Sequence, residues 1–280
     1  MLPAVGIMAL PGSPPAFVAL LQALRPWCRP YAADHDDASP AAWLASSPAC
    51  PGVTSTGRPY AVWIDDVEAS EQAAALEPAP RVLVTSDPAV ARPSVLFPRH
   101  GVDLRASLPF APVIRQRWRS RLGLPATLIV NAGGGGPSRL PEDLLPTAIA
   151  LASVVVATGP RLAEALAWAA PCVTDAPSAA ALGANDDDVV IGRPGERETL
   201  AAALAGDDGR AAALSGAGRR LAERRLDHHR PARQVAHALG LVSHGGHVAT
   251  RSTERVLDSL RTPSSSPPRL RVETLVAARP

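Results

Sequence analysis

Residues 153–175 read Ser-Val-Val-Val-Ala-Thr-Gly-Pro-Arg-Leu-Ala-Glu-Ala-Leu-Ala-Trp-Ala-Ala-Pro-Cys-Val-Thr-Asp. The three valines within Ser153 to Ala157 predict a short strand, apolar on both faces as strands of a covered parallel sheet are. Gly159-Pro160 ends it and opens a helix over Arg161 to Ala169, because proline suits the first helical position. Cys172 to Asp175 is a second short strand. Strand, tight turn, helix and strand in this order form a βαβ unit, so the two strands lie side by side and parallel.

The same alternation extends both ways. Upstream, the apolar strand Thr127 to Asn131 meets Gly133-Gly134-Gly135-Gly136, and Leu144 to Ala150 is helical. Downstream, Val189 to Ile191 is a strand, Pro194-Gly195 opens a helix through Leu204, and Arg210 to Arg225 is another. A separate series precedes them. Strands are expected at Ala4 to Leu10, Tyr60 to Ile64, Arg81 to Thr85 and Ser94 to Phe97, with a helix marked by Phe17, Leu20, Leu21 and Leu24. Arg29 to Pro59, rich in Pro, Ser and Asp, reads as loop with one short helix near Trp43. Pro98 to Pro112 is a connector, followed by an Arg-rich helix over Val113 to Leu122. The predicted architecture is therefore α/β, with two Rossmann-like lobes and a cleft between them. An N-terminal lobe spans 1–105 and a C-terminal lobe 106–240. The tail, 241–280, has a low-complexity Thr262 to Pro268 and is expected to be poorly ordered, with a helix around Ser252 to Leu260.

Composition bounds the function. The 280 residues are 46% hydrophobic and 19% charged, which fits a globular chain. All 28 basic residues are arginine, so any phosphate clamp must use Arg, backbone N–H or a helix end. A net charge of +2 does not point to a nucleic-acid partner, and the run Arg219, Arg220, Arg224 and Arg225 spreads around a solvated helix face. Three cysteines without a CxxC suit a reducing cytoplasm. Met1 to Leu10 lacks a basic n-region, against a signal peptide, and no stretch is apolar and long enough to cross a membrane. Asp34-His35-Asp36 has an acid–x–acid form without the strand that should precede it. Asp186-Asp187-Asp188 reads as a loop cap. His237, His244 and His247 lack the Cys or acid that would complete a zinc set. No metal or cofactor is expected.

Parallel sheets bind ligands where strands end and helices begin. At two such places the chain is unusual. Gly133 and Gly134 let backbone N–H groups approach a diphosphate. Thr158-Gly159-Pro160-Arg161 leads into a helix whose N-terminus favours phosphate, with Arg161 adding a bidentate donor. Glu164, one turn in, can accept from the hydroxyls of a ribose, or simply complement its own helix dipole.

Several pieces together resemble the retaining GT-B glycosyltransferases. Val95 to Leu104, with Pro98-Arg99-His100-Gly101-Val102-Asp103, is similar to that family's "P-N-G-V-D" hinge segment, and Leu122-Gly123-Leu124-Pro125 follows it. Residues 154–175 resemble the family's "PS…xxEAmAcGxPVVatd" segment, and the pieces keep the family's order over roughly residues 80–240. The resemblance implies a donor nucleotide-diphosphate sugar held between the lobes and an acceptor it does not identify. It implies ribose contact for Glu164, a glycine turn at Gly133 and Gly134, diphosphate neutralisation by Arg139, and hinge positions at His100, Gly101 and Asp103. It assigns no catalytic residue. The family's first acidic residue corresponds to Val156 here, and the span from Gly136 to Ser153 holds one helix where the family has two further strand–helix units. The chain thus resembles a shortened, partly degenerate member. Three functions stand open: a metal-independent sugar transferase, a non-catalytic binding or partner module of the same fold, and a two-lobed nucleotide-sugar epimerase.

Overall fold

A computed structural model describes residues 2–9, 13–32, 40–50, 52, 54–87, 89–90, 94–133 and 144–242. The chain divides into two compact units, one of Met1–Gly101 with the segment that begins at Asp227, the other spanning Val102–Leu226.

Among the described residues the first unit is built on six parallel strands. Along the chain these are β1 (Ala4–Met8), helix α1 (Pro15–Leu24), β2 (Arg29–Ala32), β3 (Ala42–Ala45), β4 (Tyr60–Ile64), helix α2 (Val67–Ala74), β5 (Val82–Thr85) and β6 (Ser94–Leu96). Their order across the sheet is β2-β1-β3-β4-β5-β6, all neighbours parallel. β4 is buried at all five positions, as a central strand covered on both sides must be. Asp66 caps α2 by accepting from the Ala69 N–H at 2.8 Å. β2 and β3 fall where loop and a short helix are expected from the sequence. The cause is tertiary: Trp43 is seated opposite Gly6 on β1, and a Cβ on Gly6 would lie 2.3 Å from the Trp43 ring. Only a glycine strand leaves room for that indole, and the pairing overrides local propensity.

The second unit opens with α3 (Pro112–Arg121) and continues through β7 (Ile129–Asn131), α4 (Leu145–Leu151), β8 (Val154–Val156), α5 (Pro160–Ala167), β9 (Cys172–Thr174), α6 (Ala176–Leu182), β10 (Val190–Ile191), α7 (Arg197–Ala205) and α8 (Asp208–Leu221). Among the described residues its sheet has four parallel strands in the order β10-β9-β8-β7, so β7 lies at an edge. β8 and β9 are buried throughout, which accounts for their uninterrupted apolar sequence. α5 packs on α8 at Gly218, where an added Cβ would stand 2.6 Å from Leu166 Cδ2.

The C-terminal ends of α4 and α5 are closed by arginine. Arg115 is buried and its Nη2 donates to the carbonyls of Trp168 and Ala169, at 2.9 and 3.0 Å. Arg119, also buried, donates from Nη1 to Leu151 O and Ser153 Oγ at 2.9 and 3.0 Å. Arg219 donates to Ala167 O and to Ser107 O, where a solvated face is expected from the sequence. Each guanidinium therefore meets the partial negative charge at a helix C-terminus, which offsets part of the cost of burying it. Burial, and then the neighbouring Arg119 charge, still lower the affinity of Arg115 for its proton.

α8 ends in a π-helical turn, Ala222–Leu226, and the chain then leaves this unit. The last helix among the described residues, α9 (His229–Ala238), packs in the first unit, with Ala232, Val235, Ala236 and Leu239 in one core with Phe17, Leu20 and Leu24. His229 lies 4.6 Å from the Trp27 ring and His228 stacks on Phe97 at 6.2 Å. The lobe of 106–240 expected from the sequence includes these residues, with no helix assigned to them. The apolar stripe of α9 shows that it must pack, but a stripe does not identify the surface it packs on.

Candidate nucleotide site in the second unit

The carboxyl ends of β7, β8 and β9 bring several of the expected residues together. Gly133 follows β7 and is buried. A Cβ there would lie 3.4 Å from Thr158 Oγ1, so the turns after β7 and β8 touch. Asn131 Oδ1 holds the first of these turns by accepting from the Gly133 N–H at 3.1 Å. Gly159 has φ 56° and ψ −137°, a conformation that only glycine adopts without strain, and it delivers the chain into α5 with Pro160 at the first turn. Gly134 and Arg139 lie outside the described residues, as do Asp34-His35-Asp36, His244, His247 and the tail from residue 243.

The start of α5 offers fewer N–H groups than a generic helix end. Pro160 has none, the Gly159 N–H donates to Ser178 Oγ at 2.9 Å, and the Leu162 N–H turns back to Gly159 O at 3.2 Å. What remains is the positive end of the helix dipole and the polar groups around it. Arg161 and Glu164, both expected at this site, bind one another: Arg161 Nη1 donates to Glu164 Oε1 and Oε2 at 3.0 and 2.8 Å. Both side chains are partly exposed, so the pair contributes little to stability and can be exchanged for a ligand at small cost.

A supporting layer, not anticipated from the sequence, fixes this loop. Asp175 caps α6 by accepting from the Ser178 N–H at 2.8 Å, and so positions the hydroxyl that holds Gly159. Arg197 Nη1 stands 3.6 Å from Asp175 Oδ2. Burial pushes the Asp175 carboxyl up, but the hydrogen bonds from Ser178 and the Arg197 charge outweigh it and hold it below the ordinary carboxylate value. Thr174, fully buried, donates to Ala157 O at 2.7 Å and ties β9 to the exit of β8. The spacing Asp175-Ala-Pro-Ser178 is a legible helix-capping pattern; its link to Gly159 is not.

The expected hinge residues His100, Gly101 and Asp103 lie where the chain passes from the first unit to the second. Gly101 N–H donates to Pro98 O at 3.1 Å in a turn, and a Cβ on Gly101 would lie 2.8 Å from His228 Cβ. Asp103 Oδ1 accepts from the N–H groups of Arg105 and Ala106 at 2.9 and 3.3 Å. Val102 N–H donates to Leu226 O at 2.8 Å, so the outgoing and returning strands of the crossing are bonded within the second unit. Burial, then the Arg99 charge, lower the His100 imidazole below its usual value. In the loop before β10, Asp188 Oδ2 accepts from the Asn185 N–H at 3.3 Å, in keeping with a structural role for the Asp186–Asp188 run. Among the described residues no three metal-binding side chains converge, and no helix is long and apolar enough to cross a membrane.

No protein-family model and no curated protein sequence matches the chain. Solved structures do. The Anabaena protein HepE in complex with UDP matches with a TM-score of 0.55 at 12% identity, over 86% of this chain and 100% of its own. A glycosyltransferase from Rickettsia africae matches with a TM-score of 0.52 at 8% identity, over 86% and 99%. Sucrose-phosphate synthase from Thermosynechococcus elongatus matches with a TM-score of 0.50 at 13% identity, over 84% and 98%. At such identities the likeness establishes architecture and nothing finer: the chain has the α/β fold, with Rossmann-like parallel sheets, of GT-B glycosyltransferases.

Proposed function

We propose that the chain is a glycosyltransferase that takes its sugar from a nucleotide diphosphate. The observation that carries this reading is the meeting of Gly133, Thr158 and the α5 N-terminus at adjoining strand ends, with Arg161 on the first turn and Glu164 one turn in. Sugar transfer leaves a nucleoside diphosphate whose charge grows in the transition state. The positive end of α5 and the Arg161 guanidinium face that charge without a metal ion, and the Glu164 carboxylate, released by Arg161, accepts from the ribose hydroxyls. Support for the donor class comes from the fold, since HepE of the same architecture was solved in complex with UDP.

The test is isothermal titration of UDP, ADP and GDP into the parent and Glu164→Gln. Charge-assisted hydrogen bonds contribute roughly 1.5–3 kcal/mol each, so affinity for the preferred nucleotide is expected to fall by about one to two orders of magnitude. Equal affinities refute the role of Glu164, and no binding by the parent refutes the reading as a whole. A second reading, a binding or partner module without catalysis, is favoured by one specific observation. Val156, fully within β8, stands where the resembled family carries an acid. Nucleotide binding without hydrolysis of any nucleotide sugar would select it.

A further inference from the structure

Four of the seven large hydrophobic side chains that are exposed among the described residues lie between 108 and 122: Leu108, Val113, Ile114 and Leu122. Val113 is 68% exposed and Leu108 48%. They belong to an unbroken apolar run, Leu108-Pro109-Phe110-Ala111-Pro112-Val113-Ile114, that leads into α3. Exposed runs of this length carry a free-energy cost in water that an isolated fold has no reason to bear. Within the run only Phe110 is turned inward, stacked on Trp168 at 6.1 Å. The helix that follows sorts its arginines by face. Arg115 and Arg119 point into the core, whereas Arg117 and Arg121 are exposed, and Arg121 lies over the half-buried Trp118 ring at 5.2 Å. Arg105 is exposed beside the run. None of Arg105, Arg117 and Arg121 has a carboxylate partner among the described residues, and the sequence has no acidic residue between Asp103 and Glu142.

We propose that residues 108–122 form a docking surface for an anionic lipid bilayer, with the 108–114 run entering the headgroup boundary and Arg105, Arg117 and Arg121 meeting lipid phosphates. A short exposed apolar segment followed by arginines without carboxylate partners matches both properties of that interface, an apolar interior and a negative surface. A second copy of the chain docked face to face would set these arginines against themselves without an acid to pair them. The segment is also smaller than the roughly 20–30 residues each partner brings to a stable protein interface. This proposal does not depend on the sugar-transfer reading.

Sedimentation of the full chain with vesicles tests it, using phosphatidylcholine alone and phosphatidylcholine with phosphatidylglycerol, at low and high salt. Binding is expected to the anionic vesicles only, and to weaken with salt. Arg117→Gln with Arg121→Gln is expected to lower partitioning by about thirtyfold, from roughly 1 kcal/mol per arginine near an anionic surface. Leu108→Ser with Val113→Ser, both solvent-facing, is expected to lower it at least about tenfold with the unfolding midpoint unchanged. The proposal is overturned if the parent ignores anionic vesicles or binds neutral ones equally, or if the serine pair binds as the parent does. It is also overturned if the patch instead drives self-association that the serine pair abolishes while vesicle binding is absent.

Discussion

Two glycines on α8 are expected to respond to alanine with opposite signs. An alanine in a helix interior is favoured over glycine by about 1 kcal/mol, through reduced backbone entropy in the unfolded chain. At Gly216 the added methyl meets only Arg220 Nη1, at 3.3 Å, and that exposed side chain can swing away. Gly216→Ala should therefore stabilise by most of that increment. At Gly218 the same methyl would be 2.6 Å from Leu166 Cδ2 and 3.4 Å from Asp188 O. Carbon atoms in contact rest about 3.5–4.0 Å apart, so the overlap is about 1 Å, and Leu166 is fully buried on α5. Overpacking of this size costs about 1–3 kcal/mol, which exceeds the propensity gain and leaves a net loss near 1 kcal/mol. Denaturation in urea, followed by tryptophan fluorescence, reads both as shifts in midpoint at constant slope. Leu166→Ala should abolish the penalty at Gly218 in a double-mutant cycle while leaving Gly216→Ala unaffected. If Gly218→Ala stabilises as Gly216→Ala does, the close approach of α5 and α8 at Gly218 is refuted.

Gly159→Ala places a side chain at φ 56° and ψ −137° in open space, so the strain is purely backbone; a loss of about 1–3 kcal/mol by the same denaturation is expected, and a neutral result would contradict the glycine-only turn. Asp175 has a folded-state pKa held below its unfolded value, so the stability it contributes is present above the ordinary carboxylate range and lost as pH falls through the folded value. Asp175→Asn should therefore flatten the acid limb of the stability–pH curve while losing up to about 1 kcal/mol near neutrality, and an unchanged acid limb would refute the assignment. Cys28, Cys50 and Cys172 are all buried, and burial pushes the Cys28 thiol up to about 11. A disulfide reagent at pH 8 should label none of them quickly in the native chain and all three in denaturant, and fast labelling of Cys28 or Cys172 without denaturant would place those thiols wrongly.

The strand–turn–helix units of the second lobe were readable because buried parallel strands are apolar without interruption and Gly159-Pro160 has one structural use. β3 was not, since its pairing rests on a missing side chain at Gly6, dozens of residues away, which no local window contains. α9 illustrates a different limit. Its stripe of Ala232, Val235, Ala236 and Leu239 marks a helix with an inner face, yet periodicity carries no address. At the site, Gly133, Thr158, Gly159, Arg161 and Glu164 are legible as residues of strand ends and of the start of a helix. The direct Arg161–Glu164 pair follows from their three-residue spacing and competes with any ligand for both groups. Ser178 is not legible as part of the site, because hydroxyls on Ala-rich helices are common and only the fold brings this one to Gly159.

The arginines that close α5 have an effect at its other end. An uncompensated helix presents two opposite partial charges, and at a distance their fields largely cancel. In α5 the carbonyls of Ala167, Trp168 and Ala169 are met by Arg219 and Arg115, so the negative pole is quenched inside the protein. The poles are about 12 Å apart, comparable with the screening length of roughly 10 Å at 0.1 M salt. What an approaching anion meets at Gly159 is therefore closer to a single positive charge than to a dipole. Such a field decays more slowly with distance and acts on capture, through an association rate that falls steeply with ionic strength, as well as on holding the ligand once it has arrived.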